Sequence, residues 1–180
     1  RARLLGSARA LGFRVPSDLD GAVARELARA TTEVRVRLLL SRSGRLEVQV
    51  SDPPAPSEAP VRLAIDDEPV SSQWALLYHK STQRGLYERR RRRHPDADDV
   101  VMVNERGECT EVTTATIAIR RASAWLTPPI ASGCLPGVER ARLLEEGRLV
   151  EAVLTPADLR GADEIAVINS LRGWRRAVLT

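Results

Sequence analysis

The chain has 180 residues and a net charge of +4, and 43% of it is hydrophobic but only 3% aromatic, so Leu, Val, Ile and Ala must build its core. No apolar run approaches the ~20 residues of a membrane-spanning helix. Cys109 and Cys134 lie far apart, and His79 and His94 have no metal-like spacing, which argues against a zinc site or disulfide framework and fits a reduced, cytoplasmic setting.

In chain order, residues 2–12 carry apolar positions at helical spacing closed by Gly12, and Pro16-Ser17-Asp18 opens a second helix over about 19–31. Residues 34–40 and 46–50, joined by the turn Ser41–Gly44, predict a hairpin. The Pro-rich stretch 52–60 is the best domain boundary, dividing the chain into 1–58 and 59–180. Beyond it, residues 61–65 predict a strand. Trp74–His79 is an apolar run ending at Lys80, placed at a strand-to-helix junction, and Ser81 or Thr82 can cap a helix running into Arg89–Arg93. Further strands are expected at 100–103, 108–112, 115–120, 123–126, 150–154 and 165–168. Helices are expected at 138–146 and, as one turn, at 155–159. Strands and helices mix without regular alternation, so the fold class expected is α+β.

Three features carry chemistry. Of the 28 basic residues, 27 are arginine and one is Lys80. The two types serve alike as surface charges but differ where an amine must lose its proton and attack a carbonyl. The apolar approach to Lys80 is expected to desolvate that amine. Glu111 could sit opposite a pyridine nitrogen and keep it protonated. Pro136-Gly137 followed by Val138-Glu139-Arg140 places free backbone N–H groups and a helix dipole at one point, a phosphate cradle to which Asn169-Ser170 could add a hydroxyl.

The order and spacing of several segments resemble the fold-type IV pyridoxal-phosphate enzymes, the class IV aminotransferase family. They are His79-Lys80-Ser81-Thr82-Gln83-Arg84, Asn104-x-x-Gly107-x-x-x-Glu111-x-Thr113, Leu126-Thr127-Pro128-Pro129, Gly133–Arg140 and Asn169-Ser170-Leu171-Arg172-Gly173. The resemblance implies an incomplete small α/β domain (1–58) followed by a larger mixed β domain with helices (59–180). It implies that Lys80 forms the Schiff base with pyridoxal 5′-phosphate, that Glu111 pairs with the ring nitrogen, and that Val138, Glu139 and Ser170 line the phosphate site. Thr116 stands where such enzymes often carry Asn, and the family's phosphate-binding arginine would lie a few residues before Arg1, so an N-terminally incomplete enzyme is expected.

The segments around Lys80 and Asn169-Ser170-Leu171-Arg172-Gly173-Trp174 look most like 4-amino-4-deoxychorismate lyases of folate biosynthesis, which release 4-aminobenzoate and pyruvate, in particular the module fused to or associated with a chorismate-using synthase component. A branched-chain or D-amino-acid aminotransferase is the first rival. The second is a basic nucleic-acid-binding module built on Arg89–Arg93, which a solvated helix end explains better because no aromatic residue apart from Tyr87 is interleaved to stack bases. The expected partners are a small amino substrate and a second copy of the chain in a homodimer, with neither nucleic acid nor membrane.

Overall fold

A computed structural model describes all residues, Arg1–Thr180. Two compact units divide at Pro56/Ser57, inside the Pro-rich stretch.

The first unit holds α1 (Ala2–Ala10), α2 (Leu19–Leu27), β1 (Arg35–Leu40) and β2 (Leu46–Ser51). α2 ends four residues before the sequence-based limit of 31. Asp18 precedes it without capping it, its carboxylate taken by Arg25 at 2.8 Å. β1 and β2 pair antiparallel from Arg35↔Ser51 to Leu40↔Leu46. The Ser41 hydroxyl accepts the Arg45 N–H and closes their turn.

The second unit is built on eight strands: β3 (Val61–Ile65), β4 (Asp99–Val103), β5 (Cys109–Val112), β6 (Thr116–Arg121), β7 (Ala124–Thr127), β8 (Val150–Glu151), β9 (Glu164–Asn169) and β10 (Gly173–Leu179). Their order is β5-β4-β3-β10-β9-β6-β7-β8. β5 turns directly into β6, with Val112 bridging Ala115, so strands from distant places in that order meet and the sheet curls. Its concave side packs Leu63, Val101, Cys109, Val112, Ile117, Ile119, Ile165 and Val167 into one core. The helices are α3 (Gly85–Arg93), α4 (Val138–Glu145) and α5 (Pro156–Arg160). α4 lies on the other face of β6 and β9 through Leu143, Ala118 and Ile168. Thr155 caps α5 in a capping box with Asp158.

Several expectations are corrected. The approach to Lys80 is a 3-10 turn, Ala75–Tyr78, and not a strand. Arg84 precedes α3 and no side chain caps it, so neither Ser81 nor Thr82 does. The strand at 150–154 shrinks to two residues. β10 was not foreseen, although it lies between β3 and β9. Its concave side carries Arg175 beside Ala177, which erases the apolar alternation that marks a half-buried strand.

The arginine run is not simply solvated. Arg90 is 2% exposed and its guanidinium lies 2.6 Å from Glu68 and 3.5 Å from the buried Asp66. Arg93, one turn on, pairs with the same two carboxylates. Arg89, Arg91 and Arg92 are exposed. Removing one partner of a buried pair leaves a charge in low dielectric. Arg90→Ala should therefore cost about 3 kcal/mol and lower the melting point by roughly 10 °C. Arg89→Ala should change stability by less than ~0.5 kcal/mol. Thermal unfolding of both variants checks this, and equal melting points would contradict it. No helix is long and apolar enough to cross a membrane.

Candidate active site

Glu111 ends up buried, 5% exposed, because β5 is covered on both sides. Two donors reach its carboxyl. The Tyr87 hydroxyl donates to Oε1 at 3.1 Å and the Leu135 N–H to Oε2 at 3.1 Å. The second contact depends on Gly133. Its φ of +104° belongs to the left-handed region, and a Cβ there would stand 3.0 Å from Leu77 Cδ1. A side chain would strain the turn that carries Leu135 back over Glu111.

Burial pushes Glu111 up to about 7. The Leu135 and Tyr87 hydrogen bonds oppose that rise, as do the positive charges of Lys80 and Arg84. The Lys80 charge therefore acts on Glu111. Lys80 itself is exposed, which differs from the expected desolvation. The apolar side chains that precede it, Trp74, Leu77 and Tyr78, pack against Val70, Tyr87 and Met102 instead of around the amine.

The turn after Glu111 is fixed from two sides. Asp99 Oδ1 accepts the Thr113 N–H at 2.9 Å and the Thr113 hydroxyl at 2.5 Å, and its Oδ2 accepts the Thr114 hydroxyl. Arg84 donates to the Thr113 carbonyl at 2.6 Å and stacks 4.7 Å over the Tyr87 ring.

Val138 and Glu139 form the first turn of α4, whose N-terminus no side chain caps. A carboxylate so near a phosphate cradle would repel the ligand, but Arg142 binds both Glu139 oxygens, at 2.6 and 3.1 Å. Gly137 precedes the helix, and a Cβ there would lie 3.3 Å from Thr116 Oγ1. Thr116 pairs with Ile168, two residues before Ser170. Ser170 is exposed in a turn that the Asn169 carbonyl oxygen Oδ1 closes by accepting the Leu171 and Arg172 N–H groups. Asn169 Nδ2 also donates to Thr114 O at 3.4 Å. The structure thus couples Lys80 to Glu111, sets Thr116 against Gly137 at the start of α4, and leaves Ser170 exposed in its turn.

These surroundings fit pyridoxal phosphate. Each Glu111 oxygen accepts one hydrogen bond and retains acceptor capacity for a ring N–H. The side-chain-free Gly137 and the uncapped N–H groups of α4 suit a phosphate. Sequence reasoning missed Tyr87 and Leu135. Tyr87 is one of two tyrosines in an aromatic-poor chain, a signal that could have marked it. A backbone N–H such as that of Leu135 leaves no mark in sequence.

The family model described as amino-transferase class IV matches residues 1–179. A Schizosaccharomyces pombe protein named "Putative aminodeoxychorismate lyase" is 30% identical over 98% of this chain and 80% of its own length. A Mesorhizobium loti crystal structure, "a Putative amino-acid aminotransferase", superposes with a TM-score of 0.91 and 37% identity, covering 99% of this chain and 89% of that one. A "hypothetical aminotransferase from Mycobacterium tuberculosis, PLP-bound form" shares the fold with a TM-score of 0.82 at 23% identity, covering 99% and 74%.

Proposed function

Because the chain belongs to the amino-transferase class IV family, whose enzymes work with pyridoxal phosphate on the fold-type IV architecture described above, we propose that it is a 4-amino-4-deoxychorismate lyase. The observation that carries the pyridoxal-phosphate reading is the sole lysine acting on a buried carboxyl that two donors hold in place. The choice of lyase is supported by the S. pombe relative, which matches 98% of this chain, and by the segments around Lys80 and Asn169–Trp174.

When bound, the cofactor supplies an aldehyde for an amine and a ring that accepts electrons from the substrate carbon. Lys80 Nζ is the amine that holds the cofactor and the base that takes the proton from the substrate carbon. The Glu111 carboxyl keeps the ring nitrogen protonated. The N–H groups of Val138 and Glu139 and the Ser170 hydroxyl hold the phosphate. Arg142 keeps the Glu139 carboxylate engaged at the start of α4.

An amino-acid aminotransferase is the second reading, favoured by the name of the M. loti structure at 37% identity. Both reactions begin with the same proton removal and part afterwards. The lyase lets pyruvate leave from the ring of aminodeoxychorismate and yields 4-aminobenzoate; the aminotransferase passes the amino group to a 2-oxo acid. The protein, supplied with pyridoxal phosphate, is given aminodeoxychorismate in one reaction and a branched-chain amino acid with 2-oxoglutarate in another. The expected result is 4-aminobenzoate and pyruvate in equal amounts from the first and little glutamate from the second. Brisk glutamate formation without 4-aminobenzoate would assign the chain to the aminotransferases.

A further inference from the structure

Glu111 is gripped from α3, the helix that begins five residues after Lys80. Arg84, the residue just before it, and Tyr87, in its first turn, are three residues apart and meet. Arg84 holds the main chain at Thr113, two residues past Glu111, and Tyr87 holds the Glu111 side chain itself. The Arg84 guanidinium lies against the Tyr87 ring, which is 8% exposed and packed with Val70, Leu77 and Met102. The hydroxyl is therefore fixed in place. It is also a permanent donor, because burial and the neighbouring Glu111 push the phenol well above its usual value.

We propose that Tyr87, braced by Arg84, is a positioning residue that aims the Glu111 carboxylate at the ring nitrogen of the cofactor and favours its ionised form. This rests on the reading of Glu111 as the partner of that nitrogen. A carboxyl with one fixed donor could turn about its last torsion. Donors on both oxygens hold its plane, and both favour the charged form over the neutral one.

The charged and titratable groups that face Glu111 come from several elements. Lys80 precedes α3, Arg84 and Tyr87 belong to its start, and Cys134 lies in the loop after β7. The Cys134 thiol is buried and pushed up to about 12, so it stays neutral across the relevant range. Lys80 and Arg84 act on Glu111 through their charge, while Tyr87 alone adds a side-chain hydrogen bond.

The test uses cofactor-free protein carrying 13C-carboxyl glutamate, with the Glu111 resonance assigned by its loss in Glu111→Gln. In the wild type this resonance should titrate near 7. In Tyr87→Phe, which keeps the ring, the midpoint should rise by about one pH unit, a tenfold change in the ionised ratio. In Arg84→Gln, which keeps both ring and hydroxyl, it should rise as well. Absorbance titration with pyridoxal phosphate should give roughly tenfold weaker binding to Tyr87→Phe.

A Tyr87→Phe protein that melts earlier with its Glu111 midpoint unmoved would reduce Tyr87 to a packing residue and overturn the inference. If wild-type protein takes up the cofactor while that midpoint stays put, the inference falls alone. If wild-type protein takes up no cofactor, the functional reading and the inference fall together.

Discussion

Lys80→Arg should abolish turnover, by ~10²- to 10⁴-fold or more, while leaving the fold unchanged. Arginine keeps the positive charge that acts on Glu111, but a guanidinium does not lose its proton at working pH and cannot serve as nucleophile or base. No second lysine exists to take over. Lys80 is exposed, so its replacement should alter stability by no more than ~0.5 kcal/mol. Steady-state assays beside thermal melts separate the two effects. Turnover within tenfold of the wild type would remove Lys80 from the chemistry.

Glu111→Gln should lower kcat by roughly 10- to 10²-fold, the equivalent of one charge-assisted hydrogen bond of ~1.5–3 kcal/mol. A rise in KM at unchanged kcat would make Glu111 a substrate contact instead. The same substitution has a signature in cofactor-free protein. Burial keeps the Glu111 proton bound up to about pH 7, whereas the unfolded chain releases it near 4.5. Between those values the native chain binds more protons than the unfolded one. Stability therefore falls as pH rises from about 4.5 to about 7, by about 3 kcal/mol, and levels off above. The Gln variant should lack that slope. Glu108 is held down to about 2, chiefly by Arg106, and Asp158 likewise by Thr155 and Arg121. Both titrate below this window. Identical slopes for the two proteins would mean that Glu111 is ionised throughout.

The parts of this site that sequence reveals are those with a chemical reason to be one residue type. Lys80 stood out because arginine fills every other basic position. Glu111 and the Pro136-Gly137-Val138 turn were legible through the resemblance of their segments to the class IV family. The hairpin β1–β2 and the strand β3 followed from alternation and turn residues. What stayed hidden depends on tertiary context. A run of five arginines has no periodicity, so nothing in it separates buried Arg90 from exposed Arg89; helical geometry and Asp66 make the distinction. β10 escaped because Arg175 faces the concave side of the sheet, near the negative charges of Asp98 and Asp99. Tyr87 is a rare aromatic in this chain, but its hydrogen bond to Glu111 exists only once α3 packs on β4, the neighbour of β5.

The most direct measurement is to add pyridoxal phosphate to the purified protein, reduce it with borohydride and map the labelled peptides. A yellow, pH-sensitive absorbance band before reduction, and a label confined to the peptide containing Lys80, is the result this account predicts. The absence of a band, or a label on the N-terminal amine alone, would contradict it.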